Sequence, residues 1–212
     1  MTNKKIASLL LWVAGLVVAS YGMYFLSIGQ FAVVDISVAR MTVGWHTPFL
    51  NAIMFVVTLF GRELLIVLVA VVTAALYLKR HVADALLLVV GMSAAWVLQF
   101  VLKIVFVRPR PFFSPITIET TYSFPSGHAL AAFVFFGFMA LYVFWQTKRH
   151  APRFYALVSA TILVLAIGVS RVYLGVHWLS DVLGGYVIGV WLLTLMTVLR
   201  PAFVKRFQTL EP

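Results

Sequence analysis

The sequence predicts an all-α integral membrane protein, a bundle of six transmembrane helices with an amphipathic interfacial helix between spans 1 and 2. Hydrophobic residues make up 63% of the 212 residues and charged residues only 10%, which is far from the composition of soluble proteins. The apolar residues fall in runs of about 20, the length that crosses a bilayer. Small basic clusters separate these runs, as loop charges do in membrane proteins.

The formal net charge of +10 would also suit nucleic-acid binding, but the basic residues lie between apolar runs, so we expect no nucleic-acid partner. The chain has no cysteine, which excludes disulfides and thiol catalysis. We interpret residues 1–212 as a single membrane-embedded domain, whose motif-bearing part is residues 103–181.

The first predicted span covers residues 6–27. A cleavable signal peptide is the alternative, but this run is longer than a signal-peptide apolar region. Residues 31–45 repeat apolar side chains at three- and four-residue steps, with Asp35 and Arg40 between them. This pattern predicts an amphipathic helix at the outer membrane surface, with Trp45 as an interfacial anchor. A loop packed on the bundle is the alternative.

The second span ends before Lys79 and Arg80, and its apolar residues continue back far enough to predict a long or tilted helix. Arg62 and Glu63 lie near its outer end, where they either support a site or contact lipid headgroups. In span 6, Gly185 and Gly189 predict close helix packing. The remaining predicted spans cover residues 83–106, 126–145, 154–171 and 177–199.

Charge predicts the topology. Ten basic residues share one set of loop ends, which the positive-inside rule places in the cytoplasm together with both termini. We therefore expect a multi-pass protein of the cell membrane. Six basic residues fall toward the opposite, outer face instead. They are Arg40, Arg62, Lys103, Arg108, Arg110 and Arg171.

Three separated motifs are predicted to converge on this outer face. The first is Lys103-x6-Arg110-Pro111, where the prolines end a helix and turn Arg110 back toward Lys103. The second is residues 125–128, Pro-Ser-Gly-His, a helix start whose Ser can cap and whose free N–H groups attract anions. The third is Ser170-Arg171-x5-His177-x3-Asp181. Its last two residues, four apart, share one helix face.

These residue types suit phosphoryl transfer. Lys103, Arg110 and Arg171 can neutralise a phosphate, and Ser126 and Gly127 add neutral donors. A neutral His177 whose other nitrogen is held by Asp181 is a competent nucleophile. His128 is then available as the general acid. Zinc bound by the histidines and a carboxylate is the rival reading, but three nearby cations oppose a metal, so we expect none.

The three motifs resemble the signature motifs of the type 2 phosphatidic acid phosphatase superfamily at each motif position. The resemblance implies a metal-independent lipid phosphatase acting on the outer side of the membrane, with no cofactor. It implies a phosphohistidine at His177, oriented by Asp181, with His128 as general acid. Arg108 is an additional cation, which we expect to be solvated. The implied phosphate ligands are Lys103, Arg110, Ser126, Gly127 and Arg171.

The side chains of the three motifs are expected to bind the phosphate group and not the lipid tail. The resemblance therefore leaves phosphatidylglycerophosphate, undecaprenyl diphosphate and phosphatidate as candidate substrates. The loop before Phe124 is too short for a large lid, so we expect lateral access from the surrounding membrane lipids. No obligatory protein partner is evident. Two alternatives are a lipid-linked phosphotransferase that uses the same phosphohistidine and an anion or lipid transporter.

Overall fold

A computed structural model describes residues 3–29 and 31–207, with side chains from residue 14 onward except at residues 26 and 27. Within these residues the chain forms eight α-helices and no strand. The helices are α1 (Asn3–Ile28), α2 (Ala32–Val43), α3 (Pro48–Leu59), α4 (Glu63–Leu78), α5 (Val82–Phe106), α6 (Gly127–Gln146), α7 (His150–Tyr173) and α8 (Leu179–Phe207).

Five stretches of the described chain are long and apolar enough to cross a bilayer. They are α3 and α4 taken together, α5, α6, α7 and α8. These stretches confirm the predicted all-α membrane fold. In α1, the described apolar part is the shorter Ala14–Phe25, and the side chains of residues 1–13 lie outside the described residues. A sixth span over residues 6–27 therefore stays a prediction.

Helix α6 lies in the middle of the bundle and packs against α5, α7 and α8. The predicted close packing of α8 occurs at both glycines. A Cβ at Gly185 would lie 2.9 Å from the Ser126 carbonyl oxygen, and one at Gly189 would lie 2.7 Å from the Phe133 ring. Because only glycine leaves room for this approach, α8 is held directly against the start of α6.

The second predicted span is interrupted. It consists of α3 and α4, which are separated by a break at residues 60–62. At the centre of the break, a Cβ on Gly61 would lie 2.8 Å from Ile167 and 3.0 Å from the His128 side chain. The apolar composition is continuous across the break, so hydropathy alone predicted one long helix. The break therefore brings the backbone of Gly61 close to the His128 side chain.

Helix α2 confirms the helix predicted between the first two spans and excludes the loop alternative. The orientation of α2 is not the expected one, however, because an apolar residue faces outward and the acidic residue faces the protein. Val33 is 72% exposed, whereas Asp35 is 2% exposed and faces the protein. An apolar outer surface suits contact with lipid. The buried carboxylate requires partners inside the bundle, because an unpaired buried charge is costly.

The chain order places all three motifs at one end of the bundle, which we call the site end. Helices α5 and α7 finish there at Phe106 and Tyr173, and α6 and α8 begin there at Gly127 and Leu179. At the opposite end, Asp84 of α5 accepts two hydrogen bonds from Arg200 of α8, at 2.7 and 3.0 Å. The fold thus ties α5 to α8 at the end away from the motifs.

Candidate active site

A cavity of about 470 Å³ opens at the site end. The break between α3 and α4, one face of α5, the start of α6 and the loop before α8 surround it. Five predicted site residues contribute to its wall, from all three motifs and from the second span. The lining residues that the sequence predicted are Arg62, Lys103, Gly127, His128 and His177.

Lys103 and Arg110 converge as predicted, on the backbone of the loop that precedes α6. Arg110 Nη2 donates to Thr121 Oγ1 at 3.1 Å and to the Tyr122 carbonyl at 3.2 Å. Lys103 Nζ donates to the same two oxygens, at 3.3 Å to Thr121 Oγ1 and in a closer contact with Tyr122. The two cations therefore share a short loop segment beside the cavity.

His177 and Asp181 form the predicted pair. His177 Nδ1 lies 3.4 Å from Asp181 Oδ2, and both residues are buried. The same carboxylate oxygen accepts from the Trp178 backbone N–H at 2.8 Å and from the Ser123 hydroxyl. With Nδ1 directed at Asp181, Nε2 is the nitrogen near the cationic groups, 3.4 Å from Arg110 Nη1.

The surroundings of His177 favour a neutral imidazole. Burial, followed by the positive charges of Arg110, Arg171 and Lys103, holds the pKa of His177 well below its usual value. An imidazole with a depressed pKa is unprotonated at neutral pH and keeps the lone pair that a nucleophile needs.

Two donors at the site lack a partner within the described chain. Ser126 precedes α6 at its N-cap position, but its hydroxyl makes no capping hydrogen bond, contrary to the expectation that it caps. Ser126 Oγ and Arg171 Nε are both buried without a hydrogen-bond partner among the described residues. Because buried polar groups are nearly always paired, a bound water or ligand that accepts hydrogen bonds would suit both donors.

Arg108 is buried, whereas the sequence predicts a solvated side chain. It is 6% exposed and bridges two buried carboxylates. Its guanidinium contacts Asp181 Oδ1 on one side and Asp35 Oδ2 at 2.8 Å on the other. The sequence could not reveal this, because the two partners are each 73 residues away.

The two possible supporting residues of the second span behave differently. Arg62 sits in the break before α4 and lines the cavity. Glu63 is the first residue of α4 and is exposed. A carboxylate at that position suits the positive end of the helix dipole. Of this pair, Arg62 is the one that lines the cavity.

Sequence reasoning missed Glu119 and Gln99. Glu119 forms an ion pair with Arg171, and its other oxygen lies 3.5 Å from Arg110 Nη2. Gln99 lines the cavity four residues before Lys103, on the same helix face, and a Cβ on Gly127 would overlap its side-chain oxygen. The available signals were a lone acidic residue in the loop between two cationic motifs and a polar residue inside an apolar span.

An apolar groove about 550 Å³ in volume lies next to the cavity, between α4 and α5. Ile66 and Trp96 line both the cavity and the groove. Phe124, at the end of the loop before α6, is fully buried, and its ring centroid lies 5.2 Å from that of Phe106. The cavity and the apolar groove are thus neighbours that share the side chains of Ile66 and Trp96.

Residues 84–205 match the family model of the PAP2 superfamily. The chain belongs to the PAP2 superfamily. As a PAP2 protein it is a transmembrane lipid phosphatase and a hydrolase, as the motifs predicted.

Two relatives are similar to this PAP2 protein over most of their length. Phosphatidylglycerophosphatase B of Bacillus subtilis is 32% identical over 178 residues, which is 82% of this chain and 86% of the relative. Undecaprenyl-diphosphatase of Sulfolobus acidocaldarius is 34% identical over 149 residues, or 68% of this chain and 67% of the relative. The crystal structure of the transmembrane PAP2 type phosphatidylglycerolphosphate phosphatase from Bacillus subtilis has a TM-score of 0.76 and 26% identity. It covers 91% of this chain and 96% of its own.

Proposed function

We propose that this PAP2 protein hydrolyses membrane lipid phosphates through a phosphohistidine at His177, without a metal or other cofactor. The observation that carries the proposal is the placement of the His177 ring. Its Nδ1 lies 3.4 Å from Asp181, while Nε2 lies beside Arg110. An oriented, neutral imidazole with one nitrogen near several cations has the features required of a nucleophile for an anionic phosphorus centre.

In the first step, His177 Nε2 attacks phosphorus and the bond from phosphorus to the lipid oxygen breaks. His128, which lines the same cavity, donates a proton to the departing oxygen, so that the lipid leaves as a neutral alcohol or as a lipid with one phosphate fewer. Asp181 stabilises the positive charge that develops on the imidazole.

In the second step, water attacks the phosphohistidine. His128, now unprotonated, accepts a proton from that water, the nitrogen–phosphorus bond breaks, and inorganic phosphate leaves. His177 returns to its neutral form. The proton that left His128 in the first step is thereby recovered, and the cycle consumes one water per phosphate released.

The proposed phosphate ligands are Lys103, Arg110, Ser126, Gly127 and Arg171. The paired N–H donors of an arginine guanidinium match the spacing of phosphate oxygens. Hydrogen bonds between charged groups are also stronger than those between neutral groups. The unpaired Ser126 hydroxyl and Arg171 Nε support this assignment, since a bound phosphate would supply the acceptors they lack. We add Arg62 as a contact at the open side of the cavity.

The substrate enters laterally in this proposal. Its phosphate occupies the polar cavity, and its hydrocarbon tail lies in the apolar groove between α4 and α5. The junction at Ile66 and Trp96, which line both spaces, supports a route that never leaves the membrane. Candidate substrates are phosphatidylglycerophosphate, phosphatidate and undecaprenyl diphosphate.

The proposed arrangement in the cell membrane follows from charge. The end opposite the motifs carries Lys79, Arg80, Lys148, Arg149 and Arg200, so we place that end in the cytoplasm. With α1 as the sixth span, both termini are cytoplasmic and the site faces outward. The active unit requires no obligatory protein partner.

The decisive assay is phosphate release in detergent with excess EDTA. Phosphatidylglycerophosphate, phosphatidate and undecaprenyl diphosphate are offered side by side to the purified protein. We expect turnover of at least one of them, unchanged by EDTA, with an acid-labile phosphate on the protein after rapid quenching. Loss of turnover on chelation that added zinc restores would contradict the mechanism. Release that depends on an added alcohol acceptor would indicate phosphotransfer instead.

Glu119→Gln is expected to tighten phosphate binding. The Glu119 carboxylate contacts Arg171 and lies 3.5 Å from Arg110, so it competes with phosphate for both guanidinium groups. Replacing it with a neutral amide should lower the inhibition constant of inorganic phosphate about tenfold, equivalent to about 1.4 kcal/mol. Weaker inhibition in the variant would show that Glu119 positions the arginines rather than competing for them.

A further inference from the structure

Asp35 lies on α2, about 70 residues before the first motif residue, yet it is connected to the catalytic pair through two residues, Arg108 and Ser180. It is 2% exposed. Its Oδ2 lies 2.8 Å from Arg108 Nη2, and its Oδ1 accepts from the Ser180 backbone N–H at 2.9 Å. The Ser180 hydroxyl also donates to Asp35. A helix outside the motifs is therefore bonded to the residue that immediately precedes Asp181.

Arg108 connects Asp35 to Asp181. Its Nη1 donates to Asp181 Oδ1 and, at 2.8 Å, to Ser180 Oγ, while Nη2 faces Asp35. The bond to Oδ1 sets the rotation of the Asp181 carboxylate, because the other oxygen is then directed at the His177 ring and the Trp178 N–H. The position of Arg108 is in turn set by Asp35.

Asp35 also affects Asp181 electrostatically, through the charge of Arg108. Arg108 is one buried cation between two buried carboxylates. With Asp35 present, the guanidinium charge is shared, and the group formed by the three side chains keeps a net negative charge. Without Asp35, the full charge of Arg108 would act on Asp181. It would then oppose the positive charge that develops on His177 in the transition state.

We propose that Asp35 is a positioning residue for the reaction, which acts through Arg108 to orient Asp181 and to preserve its negative charge toward His177. This inference rests on the proposed function, because it requires Asp181 to act on a nucleophilic His177. It adds α2 to the catalytic machinery. The phosphate ligands Lys103, Arg110 and Arg171 do not contact Asp35, so substrate binding is left to other residues.

The test compares Asp35→Asn with Asp84→Asn in the full-length protein. Asp84 is the matched control, a buried carboxylate paired with Arg200 at the opposite end of the bundle. For Asp35→Asn we expect kcat to fall about 10- to 100-fold, the usual effect of losing a residue that orients a functional side chain, with KM changed by less than about twofold. Asp84→Asn should keep the wild-type kcat per folded molecule, whatever its melting temperature.

A double-mutant cycle separates positioning from a general structural role. If Asp35 acts through Asp181, Asp35→Asn should cause almost no further loss of kcat in an Asp181→Asn background. If the two losses multiply, Asp35 does not act through Asp181 and the inference is overturned. A wild-type kcat in the single variant overturns it as well.

Ser180→Ala provides a second route if Asp35→Asn does not fold. It removes the hydroxyl that bonds to both Asp35 and Arg108, but keeps the backbone bond to Asp35 and the direct ion pair between Asp35 and Arg108. We expect kcat to fall about threefold to tenfold at unchanged KM, in line with the loss of a single supporting hydrogen bond. An unchanged kcat would overturn the inference. Failure of the proposed function is a different outcome, in which the wild-type protein itself releases no phosphate from any substrate offered.

Discussion

His177→Ala is expected to lower phosphate release by at least about 10⁴-fold at normal expression, because removing the nucleophile of a covalent mechanism leaves only binding and electrostatic contributions. The variant keeps Lys103, Arg110 and Arg171, so substrate should still bind. The measurement is the rate of phosphate release, together with labelling of the protein by substrate carrying radioactive phosphate. The wild type should acquire acid-labile label and the variant none.

His150→Ala is the control for this experiment. His150 is an exposed residue at the start of α7, at the end of the bundle away from the cavity. The control should retain both full turnover and the acid-labile label. If His177→Ala retained appreciable turnover or label, a different residue would have to be the nucleophile.

Asp181→Asn is expected to lower kcat about 10³- to 10⁴-fold, as observed when a catalytic histidine loses its carboxylate partner. An asparagine in this position cannot stabilise an imidazolium, and its amide can present a donor to His177 Nδ1. The change also breaks the buried ion pair with Arg108, which should cost about 3–5 kcal/mol of stability. Turnover per folded molecule and thermal unfolding in detergent measure the two effects separately.

Asp84→Asn again serves as the control, because it breaks a buried ion pair of α5 and α8 without approaching the cavity. Its activity per folded molecule should match that of the wild type. Equal activity losses in the two aspartate variants would mean that Asp181 matters for folding and not for the chemistry of His177.

The sequence was sufficient for the features that local spacing determines. A stretch of about 20 apolar residues requires a helix in lipid, and prolines at alternate positions after Lys103 require the chain to turn. A His and an Asp four residues apart meet on one helix face. Since the helices alternate in direction, three motifs at alternate loop ends had to converge. Their convergence was therefore predictable without coordinates.

Long-range pairing was not predictable. Arg108 and Asp35 are 73 residues apart and Arg171 and Glu119 are 52 apart, and no periodicity relates such positions. A polar residue on an amphipathic helix is normally solvated, so Asp35 carried no sign of burial. The break at Gly61 could not be predicted for a different reason. Hydropathy measures how favourably residues transfer into lipid, and this transfer is equally favourable on both sides of an interrupted helix.

The contact of Glu119 with Arg171, and its nearness to Arg110, have a consequence for selectivity among lipids. In the proposed site, binding a headgroup is an exchange of anions, because an incoming phosphate must displace a carboxylate already near both arginines. A phosphomonoester, with close to two negative charges at neutral pH, gains from the exchange. A phosphodiester carries one charge and gains little. We therefore expect the proposed site to favour a terminal phosphate over the singly charged phosphodiesters of the surrounding phospholipids.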